Sequence, residues 1–111
     1  MLNPNNIYLG DCLELMVEIP DKSVDLILCD LPYGTTACKW GTIIPFEPLW
    51  SEYHRITKEN SAIVLFCCQP FSSVLGASNI KNLKYSWVWE KTKPTNFYSL
   101  KGCHYAVLRI Y

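Results

Sequence analysis

What this sequence lacks removes several classes of protein at once. Within its 111 residues no apolar stretch reaches the roughly 18 residues that a membrane-spanning helix needs. The opening MLNPNNIYLGD has neither the basic start nor the long apolar run of a secretory signal. Six cysteines are present, yet no two form a Cys-x-x-Cys pair and none clusters with histidine at zinc spacing. No metal site is therefore expected, and neither His54 nor His104 is assigned a metal role. Cys12, Cys29, Cys67 and Cys68 fall inside apolar helix or strand patterns, where reduced cysteine behaves as a small hydrophobe. Glycine is sparse: the five (10, 34, 41, 76 and 102) include no two within one turn of each other. There are no internal repeats or low-complexity tracts. A cytoplasmic protein with reduced thiols, and no membrane partner, is the expectation.

What is present suits a folded chain. Half of the residues are hydrophobic and 14% aromatic, enough for one modest domain with one core. The net charge of zero conceals an asymmetry. Residues 1–80 hold four basic and nine acidic side chains, a net of −5, whereas Lys81, Lys84, Lys91, Lys93, Lys101 and Arg109 face Glu90 alone, a net of +5. A basic end on an acidic chain is what a partial phosphate-binding surface looks like, and also what a solvated tail looks like.

Periodicity predicts alternating elements. Ile7–Leu9 is a short strand candidate ending at Gly10-Asp11. Asp11 is placed to cap a helix, with Glu14 three residues on, and Cys12, Leu15, Met16 and Ile19 share one helical face. Ser23–Asp30 (SVDLILCD) is apolar without clean alternation, the pattern of a strand buried on both faces of a parallel sheet. Pro32 ends it. A loop rich in threonine and glycine leads to about Pro45. Phe46, Leu49, Trp50, Tyr53 and Ile56 mark an amphipathic helix. Ser61–Cys68 reads as a second buried strand, and Pro70 as the first position of a helix carrying Phe71, Val74 and Leu75. Tyr85–Glu90 reads as a third strand and Tyr105–Tyr111 as a further one. The order predicts an α/β fold with a mostly parallel sheet and flanking helices. In such folds ligands gather beyond the carboxyl ends of strands, where this reading puts Asp11 and Asp30.

Asp30-Leu31-Pro32-Tyr33 is the segment with chemistry. Its carboxylate and the adjacent Leu31 carbonyl are two acceptors for an amine, and Pro32 stiffens the turn while removing a competing donor. Tyr33 offers a flat face for stacking, and Gly34 permits a sharp bend. Two acceptors beside an aromatic platform suit a flipped nucleobase with an exocyclic amine. Aspartate and proline are also ordinary turn residues, so a plain strand-to-turn junction has the same content.

The stretch IYLGDCLELMVEIPDKSVDLILCDLPYG resembles the catalytic region of amino-methyltransferases that carry an Asp-Pro-Pro-Tyr type motif. Leucine stands at the motif's second position. The segments Trp87–Lys91 (WVWEK) and Lys93–Phe97 (KPTNF) are similar to the region downstream of the motif in such enzymes, so the resemblance spans about residues 7–97. It implies a Rossmann-like S-adenosylmethionine-dependent methyltransferase fold, with the catalytic motif ahead of the cofactor motif. The aspartate-led motif implies adenine in double-stranded DNA as the target, as in restriction-modification. On this resemblance Asp30, Leu31, Pro32 and Tyr33 are the catalytic residues. S-adenosyl-L-methionine is expected against Asp11, Cys12, Asp30 and Pro32, and DNA against Lys39, Trp40, Lys91 and Lys93.

The sequence departs from the family's pattern toward its end. The expected Phe-x-Gly-x-Gly cofactor loop has no counterpart, and Tyr98–Tyr111 fits poorly. Residues 1–97 are accordingly expected to be the catalytic half of a domain, with 98–111 an atypical tail or final strand. The expected whole is a C-terminally truncated enzyme, as in decaying prophage DNA, or one completed by a polypeptide that carries the glycine-rich loop. The alternatives are a non-catalytic remnant or DNA-binding module, and a cytosine-amine methyltransferase. A redox role for Cys67-Cys68 is the weakest reading, because adjacent cysteines on a buried strand are poorly poised for exchange.

Overall fold

A computed structural model describes residues 1–34 and 42–89 and the backbone of 105–110. The elements run α1 (Cys12–Met16), β1 (Val24–Asp30), α2 (Phe46–Ile56), β2 (Thr57–Cys67), α3 (Phe71–Ser78), β3 (Leu83–Trp89) and β4 (Tyr105–Ile110). Asp11 caps α1: its Oδ1 accepts the Leu13 amide at 2.8 Å, satisfying one of the donors that a helix start leaves orphaned. The helix is shorter than its apolar pattern predicts, ending at Met16 rather than near Ile19. Ile7–Leu9 is not a strand. Ile7 and Leu9 are fully exposed, because an extended segment becomes a strand only where a neighbour takes its backbone hydrogen bonds. The segment instead folds locally, with the Tyr8 hydroxyl accepting the Asn3 amide at 2.7 Å.

The strands form one four-stranded sheet in the order β1-β2-β4-β3. β1 and β2 pair in parallel, from Leu26 opposite Ala62 to Asp30 opposite Phe66. β4 lies antiparallel to both β2 and β3. One of the three pairings is therefore parallel, which corrects the expectation of a mostly parallel sheet to a mixed one. The reversal of β4 is the cause, since it separates β2 from β3.

All three helices supply one core. Met16 of α1, Leu49, Trp50, Tyr53 and Ile56 of α2, and Phe71 and Leu75 of α3 pack with Ile63, Leu65 and Cys67 of β2. The alternation in β2 puts these three residues inward and leaves Ala62, Val64 and Phe66 half-buried on the other face. For β1 the sequence pattern predicts burial on both faces. The strand is covered on one: Leu26 is 55% and Leu28 61% exposed, because no helix among the described residues lies on their side. The Trp50 indole donates to Ser78 Oγ at 2.9 Å and ties α2 to α3. Pro70 precedes α3 as its cap residue rather than opening it.

Arg55, in the last turn of α2, holds the approach to β1. Its guanidinium donates to the carbonyls of Met16 at 2.7 Å and Ile19 at 2.9 Å, and pairs with Glu52 and Asp21. The turn after α1 is thereby tied to the end of α2, with the Met16 carbonyl also accepting the Ile19 amide at 2.9 Å. Beside it, the Lys22 and Ser23 amides donate to the carbonyls of Arg55 and Ile56, each at 2.9 Å.

A one-sided core predicts unequal effects of truncation. Leu49→Ala, at a fully buried site, is expected to cost about 2–5 kcal/mol of unfolding free energy. Leu28→Ala, on the open face, is expected to stay within about 0.5 kcal/mol. Urea denaturation of the two variants checks this, and equal losses would mean that both faces are packed.

Candidate active site

Parallel pairing sends the carboxyl ends of β1 and β2 in one direction, and the candidate residues collect there. Asp30 is the last residue of β1 and is exposed. One residue on, Leu31 is 5% exposed and anchors the turn in the core. Pro32 and Tyr33 are half-buried. The turn closes on itself, with the Tyr33 hydroxyl donating to Asp30 Oδ1 at 2.8 Å. Gly34 comes next with φ of 76°, a backbone conformation open to glycine and strained for most other residues.

The Tyr33 ring is held from behind. Its centroid lies 5.3 Å from that of Phe71, tilted by 33°. Phe71 in turn stacks on Phe46 at 6.2 Å. Phe46 and Phe71 are the first residues of α2 and α3, so two helix starts converge on the motif. Their periodicity marks them only as apolar helix positions. Their place beneath Tyr33 arises because strand ends and helix starts meet at the same end of a parallel unit.

Asp11 and Cys12 reach this region by a different route from the one expected. Asp11 ends no strand; the helix it caps carries Cys12 to the neighbourhood of Cys29. Cys12 is exposed, although its pattern puts it inward. Burial is the first cause that pushes its thiol up from the ordinary cysteine value, with the charges of Asp11 and Cys29 next. The Cys29 thiol, one residue before Asp30, is also pushed up by burial, against a hydrogen bond from Tyr53. Burial raises the Tyr53 phenol too, with Cys29 adding to it. The wall beside Asp30 is therefore neutral at ordinary pH, while the carboxylate faces water.

These residues offer an anionic acceptor on a rigid turn, an aromatic ring backed by Phe71 with Phe46 behind it, and an exposed acid–thiol pair at the adjoining helix start. Lys39, Trp40, Lys91 and Lys93 lie outside the described residues. A groove of about 520 Å³, lined by Lys22, Asp25, Lys58, Glu59, Asn60 and Ser61, opens at the other ends of β1 and β2. Five residues of extended strand, ~16 Å, separate Asp25 from Asp30, and Lys58 pairs with Asp25 across the groove at 2.7 Å. The groove is no part of the motif. No protein-family model matches the sequence.

Thiol chemistry offers a check on this environment. Alkylation by iodoacetamide and then mass spectrometry is expected to label exposed Cys12 before Cys29, and fully buried Cys67 last. Cys12 should react more slowly than a free cysteine at pH 8, with its rate rising later on the pH scale. The stabilising effect of keeping Cys29 and Tyr53 neutral is complete below their unfolded values of about 9 and 10. Stability should therefore fall as the pH climbs past 9 toward their raised folded values. A chain equally stable at pH 8 and 10.5 would contradict the buried thiol–phenol pair.

Proposed function

We propose that this chain carries the catalytic half of an S-adenosyl-L-methionine-dependent DNA amino-methyltransferase, acting on the exocyclic amine of adenine in double-stranded DNA. The observation that carries the reading is the Asp30–Tyr33 turn at the carboxyl end of β1, where an exposed carboxylate is bonded to a tyrosine backed by Phe71. The resemblance of residues 7–97 to enzymes with an Asp-Pro-Pro-Tyr motif supports it. So does the influence of Cys29, one residue before Asp30, on the Cys12 thiol.

In this reading Asp30 and the Leu31 carbonyl accept hydrogen bonds from the two amine hydrogens of a flipped adenine. Drawing on both hydrogens favours a more tetrahedral nitrogen, with its lone pair directed away from the ring. Tyr33 stacks on the base, and its bond to Asp30 holds the carboxylate in one orientation. Positioning of this kind lowers a barrier without a covalent intermediate. Asp11 and Cys12, exposed at the start of α1, and Pro32 would line the adenosine side of S-adenosylmethionine, which supplies an electrophilic methyl group. Lys39, Trp40, Lys91 and Lys93 are assigned to the DNA backbone and groove. The cytoplasm is the compartment that suits this activity and the reduced thiols.

The sequence has no pair of closely spaced glycines to let backbone approach a cofactor. A complementing polypeptide carrying that loop is the partner proposed here, seated along the free edge of β1 and over Leu26 and Leu28. The missing glycines also favour a second reading, a non-catalytic remnant.

Calorimetry with S-adenosylmethionine decides between the two. A working half-site gives saturable binding that Asp30→Ala weakens, whereas a folded chain with no binding, alone and with the complementing polypeptide, is a remnant. With the cofactor bound, methyl transfer to adenine in duplex DNA should fall by at least about 100-fold in Asp30→Ala. Tyr33→Phe, which keeps the ring and loses the bond to Asp30, should fall less than Tyr33→Ala.

A further inference from the structure

The sheet face that the helices leave open changes character from one edge to the other. At the β1 edge it is aliphatic. At the β3 edge it is aromatic: Tyr85, Trp87 and Trp89 are 44%, 47% and 52% exposed. Tyr85 and Trp87, two residues apart, meet edge to face at 5.1 Å. Trp89 lies 5.8 Å from Phe66, which is on the side of β2 away from the core. The three rings therefore stand on the open face. Phe66 is the register partner of Asp30 in β1 and of Val107 in β4, and Val107 is the partner of Trp87. One row of the sheet thus runs from the candidate carboxylate to the aromatic strip, across three strand spacings, ~14 Å.

We infer that this strip is a stacking platform for unpaired nucleotides, taking up single-stranded nucleic acid on the sheet face that also carries the Asp30 turn. The placement relative to Asp30 rests on the function proposed above, while the binding itself does not. Charge selects the occupant. Lys81 and Lys84 are exposed at and before β3, and residues 81–89 include no acidic side chain. A second copy would set this excess against itself, whereas a polyanion is attracted to it. Geometry selects the strandedness. A duplex keeps its base faces stacked on one another, whereas unpaired bases have faces open to aromatic side chains. Tyr85, Trp87 and Trp89 recur at every second residue, which sets the three rings in one line along β3.

The test uses the full chain without S-adenosylmethionine. A fluorescein-labelled single-stranded oligonucleotide is titrated by anisotropy, alongside the duplex of the same sequence, while tryptophan emission is monitored. The inference expects tighter binding of the single strand, with quenching of tryptophan. Trp87→Ala and Trp89→Ala should each weaken binding about tenfold, and Trp87→Phe should recover most of it. Lys84→Gln should lower the slope of log affinity against log salt by about 0.7. Circular dichroism confirms that each variant is folded. Binding is read without S-adenosylmethionine and without any transfer step, so failure of the methyl-transfer reading leaves this result standing. Preference for duplex, affinity indifferent to both tryptophan substitutions, or self-association that buries the tryptophans would overturn the inference; the last would make the strip a protein interface.

Discussion

The parallel pairing of β1 with β2 is the constraint on which the rest of this structure depends. Parallel strands cannot be joined by a tight turn, so the chain must cross back over the sheet, and α2 makes that crossing. The crossing brings both carboxyl ends to one side. It also brings the starts of α2 and α3 there, with Phe71 against Tyr33 and Phe46 against Phe71. The candidate chemistry is thus a consequence of strand direction. Had β1 and β2 been antiparallel, Asp30 would lie at the amino end of β2, away from the start of α3.

A second consequence is the division of the molecule into a packed side and an open one. The packed side holds Leu49, Ile63, Leu65, Cys67 and Leu75, all fully buried, and it fixes the strands through direct contact with all three helices. Arg55 closes the end opposite the motif, collecting carbonyls from the turn after α1. The open side keeps Leu26 and Leu28 in contact with water at the free edge of β1. An edge that is apolar and, among the described residues, unpaired is a surface for association. The proposed complementing polypeptide would use that edge, and the aromatic strip at β3 is proposed for nucleic acid.

Asp30 also illustrates how a polar group can be held rigidly without being buried. The residue after it is anchored in the core, the residue before it is a half-buried thiol, and the tyrosine that bonds it is clamped by Phe71. The carboxylate keeps its hydration while its backbone has little freedom. Precise placement of an exposed acceptor is what a positioning mechanism requires.

Much of this was legible in the residues themselves, where local chemistry decides the outcome. The helix over Phe46–Ile56, the strands near Val24–Asp30, Thr57–Cys67 and Leu83–Trp89, and the cap at Asp11 come from periodicity and hydrogen-bonding groups read a few residues at a time. The turn at Asp30–Tyr33 comes from proline and glycine in the same way. Partnership was not legible. Ile7–Leu9 has the composition of a strand and no neighbour to make it one. SVDLILCD has the pattern of a doubly buried strand and is covered on one face. Cys12 has helical spacing toward the core and sits outside it. Sequence alone determined the local elements and the identity of the acceptor–aromatic turn, because those depend on near neighbours in the chain. Only the tertiary structure decided the reversed β4, the Phe71 ring behind Tyr33 and the aromatic row on the sheet face that carries Asp30, because pairing direction and the covering of each face depend on residues far apart in sequence.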